Sequence, residues 1–225
     1  MSLHLFNPEK FSDRPRAVFF DLDNTFYPYL PAHQVAMEAV RQKATRKIGT
    51  VPIEFDAAFD KARSEIKEQL NSTASSHSRL LYLQRTLEHL GLRSQAMISL
   101  EFEQTYWGRF LATMELREGV IGFLEQLNRL SIPKIIVTDL TTRIQLRKLI
   151  YLELDQHFEY VVTSEESGAD KPDRKSFDLA MEKLALLAPK EDAHTSNPIW
   201  MIGDNIITDI EGAKNSIGAT TLGLK

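Results

Sequence analysis

The residues best suited to chemistry stand where short apolar runs stop. Val18, Phe19 and Phe20 lead directly into Asp21, Leu22 and Asp23. A run that is apolar on consecutive positions suits a strand covered on both faces, as in a parallel sheet. Side chains alternate along a strand, so Asp21 and Asp23 share a direction if the chain stays extended past Phe20. Two close carboxylates repel unless a cation or a shared proton relieves them. The cation that oxygen ligands match is a hard one such as magnesium. A solvated turn built on Asp23 and Asn24 accounts for the same residues, so the rest of the chain must decide.

Later apolar runs end in the same way. Lys134, Ile135, Ile136 and Val137 run into Thr138 and Asp139. Tyr160, Val161 and Val162 run into Thr163, and the chain goes on to Asp170, Lys171 and Pro172. Ile199, Trp200, Met201 and Ile202 run into Gly203, Asp204 and Asn205, with Asp209 one turn later. Each has a plain reading alone. Lys171 could be a surface lysine, Asp209 a first-turn acid favoured by a helix dipole, Asn24, Asn205 and Thr25 turn formers. Together they form a signal, because a parallel sheet gathers its carboxyl strand ends on one edge, where such sheets bind ligands.

The elements that must position these residues alternate. Strand patterns at 18–20, 134–138, 160–163, 199–202 and 220–222 are interleaved with helical patterns at 118–130, 141–152, 175–187 and 208–216. That alternation predicts an α/β fold, a Rossmann-like parallel sheet between two helix layers. Residues 32–49, 54–70, 80–90 and 94–114 read as four amphipathic helices with no strand between Pro31 and Glu115. The expectation is a catalytic core of residues 1–27 and 116–225, with a helical cap, 28–115, inserted after the first strand. Phe26 to Pro31 carries two prolines and reads as an exposed aromatic turn without helix. Phe26, Tyr27 and Tyr29 are placed to meet a leaving group. Tyr106, Trp107 and Phe110 have the spacing of a helical core.

Composition narrows the classes. The 225 residues, 43% hydrophobic, can bury a core. A formal charge of −4 gives no electrostatic footprint for a nucleic-acid polymer. The absence of cysteine excludes disulfides, thiolate nucleophiles and cysteine–zinc sites. His4, His33, His77, His89, His157 and His194 show no zinc spacing, although His33 could reach a substrate. Met1 to Arg16 lacks a signal-peptide core, and no run is long enough for a membrane span. The expected setting is soluble and cytoplasmic.

In this order, the motifs resemble those of the haloacid dehalogenase-like (HAD) superfamily, in its phosphatase branch with an inserted helical cap. Asp21, Asp23 and Thr25 match its first motif, Thr138 the second, Lys171 the third, and Gly203, Asp204 and Asp209 the fourth. The stretch from Asp23 to Pro28 is similar to the start of pyrimidine 5′-nucleotidase-like members, and the whole chain to phosphoglycolate phosphatase-like ones. The resemblance implies a magnesium-dependent phosphomonoester hydrolase acting on a small phosphorylated metabolite, a nucleoside monophosphate or a sugar phosphate. It implies Asp21 as nucleophile, forming an aspartyl phosphate, and Asp23 as acid and then base. It places Mg2+ on the Asp21 carboxylate, the Asp23 backbone carbonyl and Asp204, with Asp209 in support. Lys171 and Thr138 would contact phosphoryl oxygens, with Thr25, Asp139 and Asn205 completing the phosphate site. Halide leaves without a proton and an alkoxide does not, so Asp23 favours phosphoryl transfer over dehalogenation. Many relatives carry Asn where this chain has Asp139, whose carboxylate must turn away from phosphate or pair, for instance with Arg143. The alternatives are a β-phosphoglucomutase-like mutase, a 2-haloacid dehalogenase, and a binding protein that has lost turnover.

Overall fold

Strand β1 (Ala17–Phe20) is buried on both faces, which is why four apolar residues follow one another without alternation. The computed structural model describes residues 13–187 and 197–224; His4, His194 and the first twelve residues lie outside them. β1 is the centre of a five-stranded sheet with β2 (Lys134–Thr138), β3 (Tyr160–Thr163), β4 (Ile199–Gly203) and β5 (Thr220–Gly223) in the order β3-β2-β1-β4-β5. All four pairings are parallel. Phe20, the last residue of β1, lies opposite Ile136 on one side and Ile202 on the other, so β2 runs on two residues and β4 one residue past it.

Helices α5 (Val120–Arg129), α6 (Thr142–Tyr151), the single turn α7 (Ser164–Ser167), α8 (Arg174–Leu187) and α9 (Gly212–Ile217) connect these strands. One sheet face buries Phe19, Ile135, Val137, Val162 and Met201 against Phe177, Ala180 and Leu184 of α8 and Ala213 of α9. Each large side chain so buried contributes about 1.5–3 kcal/mol. From β1, Phe20 also meets Phe26, Phe158 and Phe123 at ring separations of 5.3, 5.9 and 6.2 Å.

The chain divides into two compact units, Met1–Pro28 with Glu115–Lys225, and Tyr29–Met114. The second is helical: α1 (Tyr29–Ile48), α2 (Pro52–Leu70), α3 (Arg79–His89) and α4 (Ala96–Thr113), with a 3-10 turn at Ala74–His77 in the serine-rich stretch. α1 packs on α4 and α2 on α3. The core is aromatic: Phe55, Phe59, Tyr82, Phe102, Tyr106, Trp107 and Phe110 are all buried. None of the described helices is long and apolar enough to cross a membrane.

One expectation fails at the junction of strand and helix. Phe26 and Tyr27 are buried rather than exposed, and α1 starts at Tyr29 with Pro31 inside it. Pro31 is the third helical residue, where its missing N–H would have had no helical partner. Proline there starts a helix instead of forbidding it.

Candidate active site

Asp21 leaves β1 with its N–H still bonded to the Ile202 carbonyl of β4, at 2.9 Å. Its Oδ2 accepts the Thr25 hydroxyl at 3.0 Å, and its Oδ1 accepts Lys171 Nζ at 2.8 Å. Lys171 Nζ also donates to Asp209 Oδ1 at 2.6 Å and to the Val137 carbonyl at 2.8 Å. The three ammonium hydrogens are thereby all used. Asp209 rides on a π-helical turn, Ile206–Glu211, and its Oδ2 accepts the Asn205 N–H at 3.1 Å. β4 must end in glycine: a Cβ at Gly203 would lie 2.3 Å from Asp209 Oδ2. Asp204 Oδ2 accepts Asn24 Nδ2–H at 2.7 Å, from a residue at φ 61. Arg117 fixes the turn by donating its N–H to Phe26 O at 2.8 Å and its guanidinium to Asn24 O at 2.9 Å.

Carboxylate oxygens of Asp21, Asp204 and Asp209 all lie within 4.8 Å of one another. Three carboxylates face one ammonium, so the cluster is short of two positive charges. Burial pushes the Asp21 carboxyl well above its ordinary value, with repulsion from Asp209 and Asp23 adding to it against the attraction of Lys171. Burial also raises Asp204. Lys171 is held protonated, because Asp209 and Asp21 outweigh the burial that would lower it. An all-oxygen donor set with this deficit fits a hard divalent cation.

Asp23, two residues on, has the opposite environment. Lys148 of α6 donates to both its carboxylate oxygens, at 2.5 and 2.7 Å. Gln145 Nε2 reaches Asp23 Oδ2 at 3.2 Å, and the buried Tyr27 hydroxyl donates to Oδ1. Burial alone would raise Asp23, but the Lys148 ammonium and these hydrogen bonds bring it below the usual carboxylate range. Neighbouring acids whose environments push them apart can take separate roles.

The predicted residues fall into distinct places. Thr25, Lys171 and Asp209 gather around Asp21. Thr138 is buried at the end of β2, where its hydroxyl accepts from Gln145 Nε2 at 2.7 Å and so joins the Asp23 group. Asp139 does pair its carboxylate: Oδ1 accepts the Lys171 backbone N–H at 2.9 Å. The Asn205 amide oxygen caps the π turn by accepting from the N–H groups of Ile207 and Thr208 at 3.0 and 3.1 Å. Tyr27, expected beside a leaving group, is buried behind Asp23. Lys148 and Gln145 were not anticipated. A signal existed: on a helical wheel both fall inside the arc from Ile144 to Leu149 that faces the core.

A family model described as haloacid dehalogenase-like hydrolase matches residues 15–216. The chain belongs to this family. Ribulose-1,5-bisphosphate 5-phosphatase of Halopiger xanaduensis is 38% identical over 92% of this chain and 83% of its own length. Glyceraldehyde 3-phosphate phosphatase of Pyrococcus furiosus is 30% identical over 94% of this chain and 81% of its own. The fold is shared with the HAD hydrolase YfnB of Bacillus subtilis, solved bound to magnesium, with a TM-score of 0.65 at 21% identity, covering 92% and 87% of the two chains. The named relatives are phosphatases, and this chain is a HAD-family phosphatase.

Proposed function

We propose that this enzyme hydrolyses the phosphomonoester of a small phosphorylated sugar through an aspartyl phosphate on Asp21. The observation that carries the reading is the contrast within one strand end: Asp21 lies in a cluster short of positive charge, while Asp23 is held apart by its own ammonium. Both named relatives act on sugar phosphates, which favours that class over nucleoside monophosphates.

An Asp21 carboxylate oxygen attacks phosphorus, the bond to the leaving oxygen breaks, and that oxygen takes a proton from Asp23. Lys148 keeps Asp23 ionised in the ligand-free protein. A dianionic phosphate beside it disfavours that charge and favours the protonated form. Asp23 then removes a proton from the water that attacks the phosphorus of the aspartyl phosphate, which restores the Asp21 carboxylate and releases phosphate. Lys171 holds Asp21 in place and offsets part of its charge. Asp21, Asp204 and Asp209 would hold a divalent cation, for which magnesium fits the donor set, with Asp23 contributing only its backbone carbonyl. The cation supplies neutralisation of the anionic nucleophile and phosphate.

A panel of sugar phosphates, nucleoside monophosphates and chloroacetate, each with and without magnesium, tests the reading. Magnesium-dependent phosphate release from sugar phosphates, lost in Asp21→Asn, is the expected result. Isomer interconversion without free phosphate, or equal release by the variant, would overturn it.

A further inference from the structure

Gln145 of α6 is fully buried and lies three residues before Lys148, on the same side of the helix. The start of α6 is fixed by the chain at the end of β3. The Thr142 and Thr163 hydroxyls pair at 2.7 Å, and the Thr142 N–H donates to Glu165 Oε2 at 2.8 Å. From this anchored helix Gln145 Nε2 faces three acceptors. They are the Asp139 carbonyl at 2.6 Å, the Thr138 hydroxyl oxygen at 2.7 Å and Asp23 Oδ2 at 3.2 Å. All of these groups belong to the sheet unit.

An amide nitrogen carries two hydrogens. The two short contacts use them, and Asp23, already held by Lys148 and Tyr27, takes the longest. Lys148 therefore serves Asp23, and Gln145 mainly the end of β2. The opposite amide orientation would set Oε1 against the Asp139 carbonyl and an ionised carboxylate, neither of which can donate. Gln145 Oε1 is buried without a hydrogen-bond partner among the described residues, so the side chain acts as a donor only. An apolar chain would fill the same space, and a buried glutamine is uncommon where packing is the only demand. A threonine hydroxyl has one hydrogen and two acceptor lone pairs. Gln145 engages Thr138 as an acceptor, which leaves the hydrogen to be given elsewhere. The one bond that hydrogen makes among the described residues runs to the Asp139 carbonyl at 3.4 Å, too long to hold it firmly, and that carbonyl already accepts from Gln145.

We propose that Gln145 is a positioning residue that commits the Thr138 hydroxyl to donate to a phosphoryl oxygen of the substrate. The inference rests on the proposed phosphatase reading, with Thr138 at the phosphoryl group as the family's second motif implies. Gln145 takes the acceptor side of the hydroxyl, so phosphate binding breaks no strong internal bond of Thr138. Its action on the reaction passes through Thr138, whereas that of Lys148 passes through Asp23.

The test is a double-mutant cycle on the full-length protein with magnesium. Its readouts are the Kd of inorganic phosphate by calorimetry, and kcat/KM for an alkyl phosphate and for p-nitrophenyl phosphate. Thr138→Val and Gln145→Met should each weaken phosphate binding and lower kcat/KM by roughly tenfold. The double variant should stay within about twofold of Thr138→Val alone, because Gln145 acts through a hydroxyl that is no longer there. The Gln145→Met loss should agree within about threefold between the two substrates, since they share the phosphoryl group and differ in the leaving group. Gln145→Leu, a second side chain without a donor, serves with the same expectations if Gln145→Met does not fold. Unchanged phosphate affinity in the Gln145 variant, losses that multiply in the double variant, or a loss confined to the alkyl phosphate would each overturn the proposal. Wild type that binds phosphate but hydrolyses no phosphomonoester would defeat the hydrolase reading, and the cycle on phosphate affinity would still decide the role of Gln145. Wild type that does neither would overturn both.

Discussion

Lys171 in the sheet unit and Arg79 in the helical unit are both buried cations, and their surroundings differ in kind. Lys171 has more carboxylate than it can neutralise: Asp21 and Asp209 directly, with Asp204 in the same cluster. Arg79 has phenols and rings around it, and no ion pair to a carboxylate among the described residues. The first environment calls for a cation. Burial makes that excess of negative charge costly, because water cannot screen it. A balanced pair such as Lys148 with Asp23 shows the ordinary outcome, in which cation and carboxylate satisfy each other. Imbalance in a buried site therefore points to what the site is built to receive.

Several changes would break or sharpen this contrast. The largest effect is expected for Lys171→Met, which leaves Asp21 and Asp209 facing each other without an ammonium. Turnover should fall by roughly four orders of magnitude, and the metal-free protein should lose about 3–5 kcal/mol in urea unfolding. Lys148→Met disturbs the balanced pair instead. Here kcat on an alkyl phosphate should fall about a hundredfold, while p-nitrophenyl phosphate, whose leaving group needs no proton, should lose less than about tenfold. Equal losses on both substrates would reduce Lys148 to a packing role. Gly203→Ala drives a methyl group into Asp209 and should cost about 1–3 kcal/mol, read by thermal unfolding.

The smallest effect has a sign that depends on pH. Burial holds the Asp21 carboxyl above its ordinary range in the folded chain. Without metal, the folded state thus binds more protons than the unfolded one, and stability falls as pH rises through the folded value. In EDTA, Asp21→Asn should raise the melting temperature at neutral pH, and the gain should shrink on acidification. Magnesium should raise the melting temperature of wild type more than that of the variant. A variant less stable than wild type in EDTA would contradict the claimed excess of negative charge.

Much of the sheet was legible because its strands are buried on both faces. Lys134 to Thr138 and Tyr160 to Thr163 have the bounds read from apolar runs, and Gly49, at φ 71, closes α1 as a helix-stopping glycine should. Asp21, Thr25, Lys171, Asp204 and Asp209 were legible as strand-end polar residues. What escaped were side chains whose partners come from distant elements. Lys148 meets Asp23 across 125 positions, and nothing local in α6 announces that pairing beyond a lysine on the core-facing arc. The Lys171 N–H that Asp139 Oδ1 accepts is a backbone group without a sequence signature. The π turn at Ile206–Glu211 was read as part of an ordinary helix, since the periodicity of so short a segment does not separate the two. Arg79 carried no signal, because an arginine at a helix start is ordinarily a surface residue.

The central claim is that Asp21 carries the phosphoryl group. Acid quenching during steady turnover of a sugar phosphate with magnesium, followed by peptide mass spectrometry, tests it directly. The expected result is a phosphoryl group on Asp21 that appears only with substrate and is absent from Asp21→Asn. A phosphoryl group on another residue, or sustained turnover by Asp21→Asn, would contradict it.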